Sequence, residues 1–291
     1  MFTVQIRRHD DLAAFAELAV PLLHADPVRH SVAITVVAAR LRPGSPNDVV
    51  TMLTVHEAGA VRGAALQTAR MSLITSALLP DTAPAVADVL AGGALAGKGE
   101  PPPGATGPRE NAEAFAAAWC RRTGATARVE MAMRLFTLGE LRPPAGVPGA
   151  ARVAGTMDAP LLASWRQAFA VTALPSGWPS TEDPEAAVLR QLAAGQGNVL
   201  WELDGRPVSM AVASAPVAGM SRIASVWTPP EHRGHGFGSA VTAAASQWAL
   251  DAGAPHVVLF TDLTNPVSNS IYRKLGYRPV HDAVDLAFER V

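Results

Sequence analysis

Apolar residues recur along this chain with two periods, and the periods divide it into helices and strands. Helical spacing places Leu12, Phe15, Leu18 and Leu22 on one face behind Asp10 or Asp11 as a cap, and a second helix follows Asp26-Pro27. Residues 81–90 read as helix, as does the stretch carrying Ala114, Phe115, Ala118 and Trp119. Further on, Asp158 precedes a helix with Leu161 or Leu162, Trp165 and Phe169 on one face. Asp183-Pro184 opens another with Val188, Leu189 and Leu192. Val241, Ala244, Ala245 and Trp248 mark a helix that ends near Gly253, and Ile271 and Leu275 share a face behind Asn265-Pro266. Strand patterns fall at residues 2–7, 49–55, 61–68, 71–79, 128–138, 151–154, 199–203, 207–213, 221–228 and 256–261, with 284–288 placed to close the sheet. Glu57-Ala58-Gly59 and Asp204-Gly205 read as hairpin turns.

Both halves therefore run strand, two helices, three strands. The pattern predicts a mixed α/β fold in two domains, residues 1–142 and 151–291, each a sheet flanked by helices. Residues 143–150, with Pro143-Pro144 and Pro148, read as the linker. Residues 92–108, which include Pro101-Pro102-Pro103, read as an exposed loop.

One stretch carries a sharp chemical signal. After the strand at residues 221–228 comes Arg233-Gly234-His235-Gly236-Phe237-Gly238-Ser239, which opens a helix. Glycines let backbone amides approach a ligand, and the first helical turn adds unpaired N–H groups at the positive end of its dipole. Such a turn suits phosphate. It lacks the Gly-Lys-Ser/Thr ending of a Walker loop, and Gly234-x-Gly236-x-x-Ser239 misses the third glycine of a dinucleotide fingerprint. The order Arg-x-x-Gly-x-Gly resembles the coenzyme A pyrophosphate loop of the GNAT acetyltransferase superfamily. A second block, Asn265-Pro266-Val267-Ser268-Asn269-Ser270-Ile271-Tyr272-Arg273-Lys274-Leu275-Gly276-Tyr277, resembles that superfamily's Asn-x-x-Ser/Ala-x-x-x-Tyr-x-x-x-Gly-Phe/Tyr signature. The resemblance covers residues 151–291.

The resemblance implies acetyl-CoA as co-substrate, no metal, and direct acetyl transfer to a primary amine in a ternary complex. It implies that Val226, Trp227 and Thr228 expose backbone groups to the pantetheine, and that Arg233, Gly234, His235, Gly236, Phe237, Gly238 and Ser239 hold the pyrophosphate. Asn265 and Ser268 stand as further coenzyme A contacts, and Tyr272 as the acid that protonates the departing thiolate. For the base, Glu202, Glu231 and Asp262 stay open beside water alone, and His232 and His235 flank the loop. The acceptor is expected to meet residues 171–182, which include Trp178. The first half has Leu79-Pro80-Asp81-Thr82-Ala83-Pro84 where the loop would stand and contains no tyrosine, so it reads as a degenerate partner.

Composition narrows the partners. A net charge of −1 without a long basic run disfavours nucleic acid. No apolar run reaches membrane-spanning length, and the N-terminus becomes charged too soon for a secretory signal, so a cytoplasmic protein is expected. Cys120, the single cysteine, excludes an intramolecular disulfide and reads as a core or surface thiol rather than a nucleophile. The acceptor is a small molecule or peptide amine, and no dense acidic cluster points to a polyamine. The alternatives are a noncatalytic acyl-CoA-binding regulator and a mycothiol-synthase-like acyltransferase.

Overall fold

The computed structural model describes residues 4–95, 100–173 and 182–289. In chain order its elements begin with β1 (Val4–Arg8), α1 (Leu12–His24), α2 (Ser31–Arg40), β2 (Val49–Glu57), β3 (Ala60–Thr68), β4 (Leu73–Ala77), α3 (Ala83–Leu95), β5 (Gly104–Pro108), α4 (Arg109–Thr123) and β6 (Thr126–Leu138). They continue with β7 (Ala150–Val153), α5 (Ala159–Ala173), α6 (Pro184–Ala193), β8 (Gly197–Leu203), β9 (Arg206–Ala213), β10 (Met220–Trp227), α7 (Phe237–Asp251), β11 (His256–Asp262), α8 (Pro266–Lys274) and β12 (Tyr277–Glu289). Two compact units result: residues 4–133 with 281–289, and residues 134–280. Each is a mostly antiparallel α/β sheet flanked by helices.

In the first unit the strands run β1-β2-β3-β4-β5, followed by the end of β12. Asp11 caps α1 through its carboxylate, which accepts from Ala14 N at 2.7 Å. The buried face of α1 is Phe15, Ala16, Ala19 and Leu23, and Leu18 is exposed. The periodicity drifted by one position because the small alanines fill the helix–sheet gap. Residues 92–108 are not one exposed loop: α3 continues to Leu95, and Gly104–Pro108 is a strand. That strand is gripped on both sides, antiparallel to residues 283–287 of β12 and parallel to β4. A side chain at Gly104 would lie 1.9 Å from the Leu286 carbonyl oxygen. Its glycine answers a close neighbour, not a turn. Residues 284–288 do lie in a strand, but the partner they close against is β5.

β4 pairs in parallel with β5 at Leu73↔Ala105 and Ile74↔Thr106. Side chains stitch the strands beyond it. Thr75 Oγ1 donates to Thr106 O at 3.0 Å, and the Asn111 amide donates to Thr75 O and Ser76 O, each at 3.2 Å.

In the second unit the end of β6 is followed by β11-β10-β9-β8-β7. Two cores lie on opposite faces. Phe136, Val199, Ala211, Ile223, Val257 and Leu259 pack with α7 and α8 on one face. Leu200 and Met210 pack with Leu162 of α5 and Val188 of α6 on the other. Asp158 does not act as a simple helix cap. It ends a short 3-10 turn, accepts from Gly155 N at 2.8 Å and pairs with Arg152. The proline-rich stretch lies along this unit. Gly139 N donates to Gly276 O and Arg142 N to Leu275 O, both at 3.0 Å, and Trp201 Nε1 donates to Pro148 O at 2.9 Å.

Candidate active site

The centre of the site is a strand that leaves its neighbour. β10 pairs in parallel with β11 up to Ile223↔Leu259. On its other side, Ala224 faces Val212 and Trp227 faces Met210, so β10 carries one extra residue against β9. Ser225, at φ +48°, takes up that bulge. The β10–β11 pairing stops at Ile223, which leaves backbone groups of Ser225 and Val226 open toward the gap, while Trp227 O accepts from Ser209 Oγ at 2.9 Å.

Pro229 and Pro230 end the strand, and a short 3-10 turn leads into the glycine loop. Arg233 folds back on the strand end. Its guanidinium lies over the Trp227 ring at 5.1 Å, and its Nε donates to Thr228 O at 3.0 Å. Ser209 Oγ is 2.8 Å from Thr228 Oγ1 and holds it in place. Gly234 and Gly236 adopt φ of +83° and +84°. Gly236 is the N-cap of α7, and no side chain caps the helix. The amides of its first turn, at Phe237, Gly238 and Ser239, stay available to an anion. Phe237 is buried beneath this turn, with His235 stacked on it at 5.6 Å.

On the same sheet face, α8 brings in Tyr272. Asn265 caps this helix: its side-chain oxygen accepts from Ser268 N at 3.0 Å. Asn269 fixes the cap by donating to Asp262 O and Asn265 O at 2.8 and 2.7 Å. Tyr272 is buried between the rings of Phe136 and Tyr277, at 6.5 and 6.1 Å. Burial pushes its phenol up to about 12, against a smaller downward pull from a hydrogen bond with Ser268. Tyr277 is different. Its hydroxyl is 2.6 Å from Ser246 Oγ on α7, and burial raises its phenol too. Tyr277→Phe is therefore expected to cost about 1 kcal/mol of stability and leave turnover unchanged, measured by urea unfolding beside an activity assay.

Two of the three candidate carboxylate bases are engaged. Arg152 holds Glu202 at 2.8 Å and Asp158 at 2.7 Å. Asp262 accepts from Thr264 N and Oγ1 at 2.7 and 2.8 Å. Glu231 is exposed. Cys120 belongs to the first unit, and burial raises its thiol pKa, which disfavours the thiolate. Residues 174–181, the greater part of the expected acceptor segment and the position of Trp178, lie outside the described residues.

Two contributors escaped the sequence reading. Phe136 walls Tyr272, and Val147 touches the glycine loop, its Cγ2 lying 3.1 Å from where a Gly236 side chain would begin. A valine among prolines gives no periodic signal, so only the fold could place it.

This arrangement of bulged strand, glycine turn, uncapped helix and buried tyrosine coincides with a family match. The model of the acetyltransferase (GNAT) family matches residues 162–277. The chain carries a GNAT domain. Solved structures extend the likeness of fold to the rest of the chain. A GCN5-related N-acetyltransferase from Kribbella flavida aligns over 92% of this chain and 96% of its own at 20% identity, with a TM-score of 0.57. One from Sphaerobacter thermophilus aligns over 98% and 95% at 16% identity and a TM-score of 0.60. A tandem GNAT protein from the clavulanic acid biosynthesis pathway aligns over 99% and 98% at 15% identity and a TM-score of 0.58. No curated relative matches the chain. At these identities the structures speak to fold alone, and the fold is that of tandem GNAT proteins. The GNAT family uses acetyl-CoA as co-substrate. Among the described residues, no helix is long and apolar enough to cross a membrane.

Proposed function

We propose that the GNAT domain transfers an acetyl group from acetyl-CoA to a primary amine, directly within a ternary complex. The observation that carries this reading is the uncapped N-terminus of α7, set at the end of a strand that has parted from its neighbour. The amides of residues 234–239 bind the pyrophosphate, with Arg233 and His235 bordering them. The backbone of Val226, Trp227 and Thr228 aligns the pantetheine and polarises the acyl carbonyl through groups other than the Trp227 and Thr228 carbonyls, which Ser209 and Arg233 hold. Tyr272 donates a hydrogen bond to the leaving sulfur, and Asn265 and Ser268 hold the helix that presents it. With Glu202 and Asp262 engaged, water takes the proton from the amine. The acceptor is a small molecule or peptide amine.

The first unit serves as a degenerate half in this scheme. Its strands are stitched by Asn111 where the GNAT domain leaves backbone free. The spacing Asn265-x-x-Ser268-x-x-x-Tyr272 has an echo in Asn111-x-x-Ala114-x-x-x-Ala118, with alanine in the place of the acid.

The test is calorimetric titration with acetyl-CoA, with Ser239→Asp as control. A carboxylate in the first turn suits the helix dipole, so the variant keeps its thermal stability. Placed roughly 5–6 Å from a pyrophosphate, it opposes binding by about 3 kcal/mol at an effective dielectric near 20. Wild-type protein is expected to bind one equivalent, and the control about 100-fold more weakly. No binding by folded wild-type protein sinks the reading. Two equivalents per chain would mean that the first unit also works. Binding without CoA release in the presence of any amine would favour the noncatalytic regulator.

A further inference from the structure

Among the described residues, a pair of arginines on the GNAT domain lacks the countercharge that half-buried cations require. Arg222 lies on β10 beside Ile223, which points into the α7 core. Arg222 therefore faces the other side, where α5 packs across β10. Arg166 of α5 reaches the same side. Its two terminal nitrogens donate to neutral amides, Gln191 Oε1 and Asn198 Oδ1, and its buried Nε has no partner among the described residues. Asn198 faces Val212, and Val212 faces Ala224, the residue that shares its face with Arg222.

The Arg222 guanidinium has no hydrogen-bond or ion-pair partner among the described residues; only its backbone is used, against Ser214. The carboxylates near this face are spent elsewhere. Asp158 and Glu202 hold Arg152, Glu182 holds Arg190 at 2.7 Å, and Asp183 caps α6 by accepting from Ala186 N at 2.8 Å. Asp262 is tied to Thr264, and Glu185 is exposed. Burial alone pulls both guanidinium groups down to about 10, with no carboxylate to raise them, and both remain charged near neutrality.

Position gives the uncompensated charge a purpose. Arg222 and the bulge at Ser225 lie on one strand, roughly 10 Å apart along it. That span lies within the combined reach of an arginine side chain and a molecule that carries an amine and a carboxylate a few bonds apart. We propose that Arg222, with Arg166 behind it, binds the carboxylate of the acetyl acceptor, which makes the acceptor an amino acid. This inference rests on the acetyltransferase reading. A guanidinium takes a carboxylate in bidentate fashion, and a half-buried one rejects an analogue that leaves it unpaired.

The experiment follows CoA release by the full chain with a panel of α- and ω-amino acids, each beside its carboxamide. Acetyl-CoA affinity is measured on the same samples by calorimetry. The acids are expected to exceed the amides by about 100-fold in kcat/KM. Arg222→Met should erase that difference through KM while the acetyl-CoA Kd stays unchanged, and Arg222→Lys should retain part of it. Without ligand, Arg222→Met should also melt at a higher temperature than wild type, because an unpaired half-buried charge is exchanged for a side chain of similar length. Amides acetylated as well as acids, or no amino acid acetylated by a protein that binds acetyl-CoA, would overturn the inference and leave acetyl-CoA binding standing. A clear fall in melting temperature for Arg222→Met would mark Arg222 as structural and overturn it as well. Failure to bind acetyl-CoA would remove the reading beneath it.

Discussion

Tyr272→Phe is expected to lower kcat by about 30- to 100-fold while the acetyl-CoA Kd stays within about twofold. The magnitude follows from the phenol's environment. Burial lifts it to about 12, whereas an ordinary thiol sits near 8.5. Handing its proton fully to a thiolate is uphill by about 5 kcal/mol at 1.36 kcal/mol per unit. The residue therefore acts by a hydrogen bond that strengthens as charge develops on sulfur. Such bonds to charged groups contribute about 1.5–3 kcal/mol, below the upper range of general acid catalysis. Single-turnover rates and calorimetry on the same variant decide the matter, and a rate within threefold of wild type would remove Tyr272 from the mechanism. The same shift sets a pH behaviour. A phenol whose folded value is raised contributes stability that is complete below the unfolded value near 10 and is lost as pH rises through about 12. Below pH 10, Tyr272 imposes no alkaline limb on the rate.

Gly276→Ala is expected to destabilise the protein by about 4 kcal/mol. Gly276 sits at φ +99°, and a side chain there would lie 1.9 Å from the Glu140 carbonyl oxygen. The left-handed conformation alone costs about 1–2 kcal/mol for an L-residue. Overpacking adds about 1–3 kcal/mol, and here the obstacle is backbone that cannot swing aside. The displaced segment is the one tied down by Gly139 N on Gly276 O. Gly253→Ala is the matched control: its φ is +89°, but nothing lies within 4 Å of the added atom. It should cost only about 1 kcal/mol. Equal urea midpoints for the two variants would refute the steric argument.

These cases show which parts of the molecule were legible in the sequence. The α7 turn and the α8 signature could be read because local backbone geometry makes them, through glycines at positive φ and an asparagine cap. The order of elements in both halves was legible for the same local reason. β5 was not, since Gly104 is required by the backbone of Leu286, a distant neighbour on another strand. The face of α1 slipped because alanine is a weak apolar signal and Ala16 and Ala19 carry half of its buried surface positions. Arg222 carries no signal of its own within the strand at 221–228. Only the absence of a countercharge among the described residues separates it from a solvated arginine. The engagement of Glu202 was equally hidden, because its partner Arg152 stands on the adjacent strand β7.

The pairing of β12 with β5 bears on how the chain is made. Residues 281–289 belong to the first unit, yet they follow the whole of residues 134–280 in order of synthesis. While the ribosome builds the second unit, β5 waits with one edge open, a template for wrong pairing. The first unit must stay shielded or loosely formed through that interval, since most of its core exists before the strand that completes it. The unit whose synthesis begins earlier thus completes its sheet only after the other has been made.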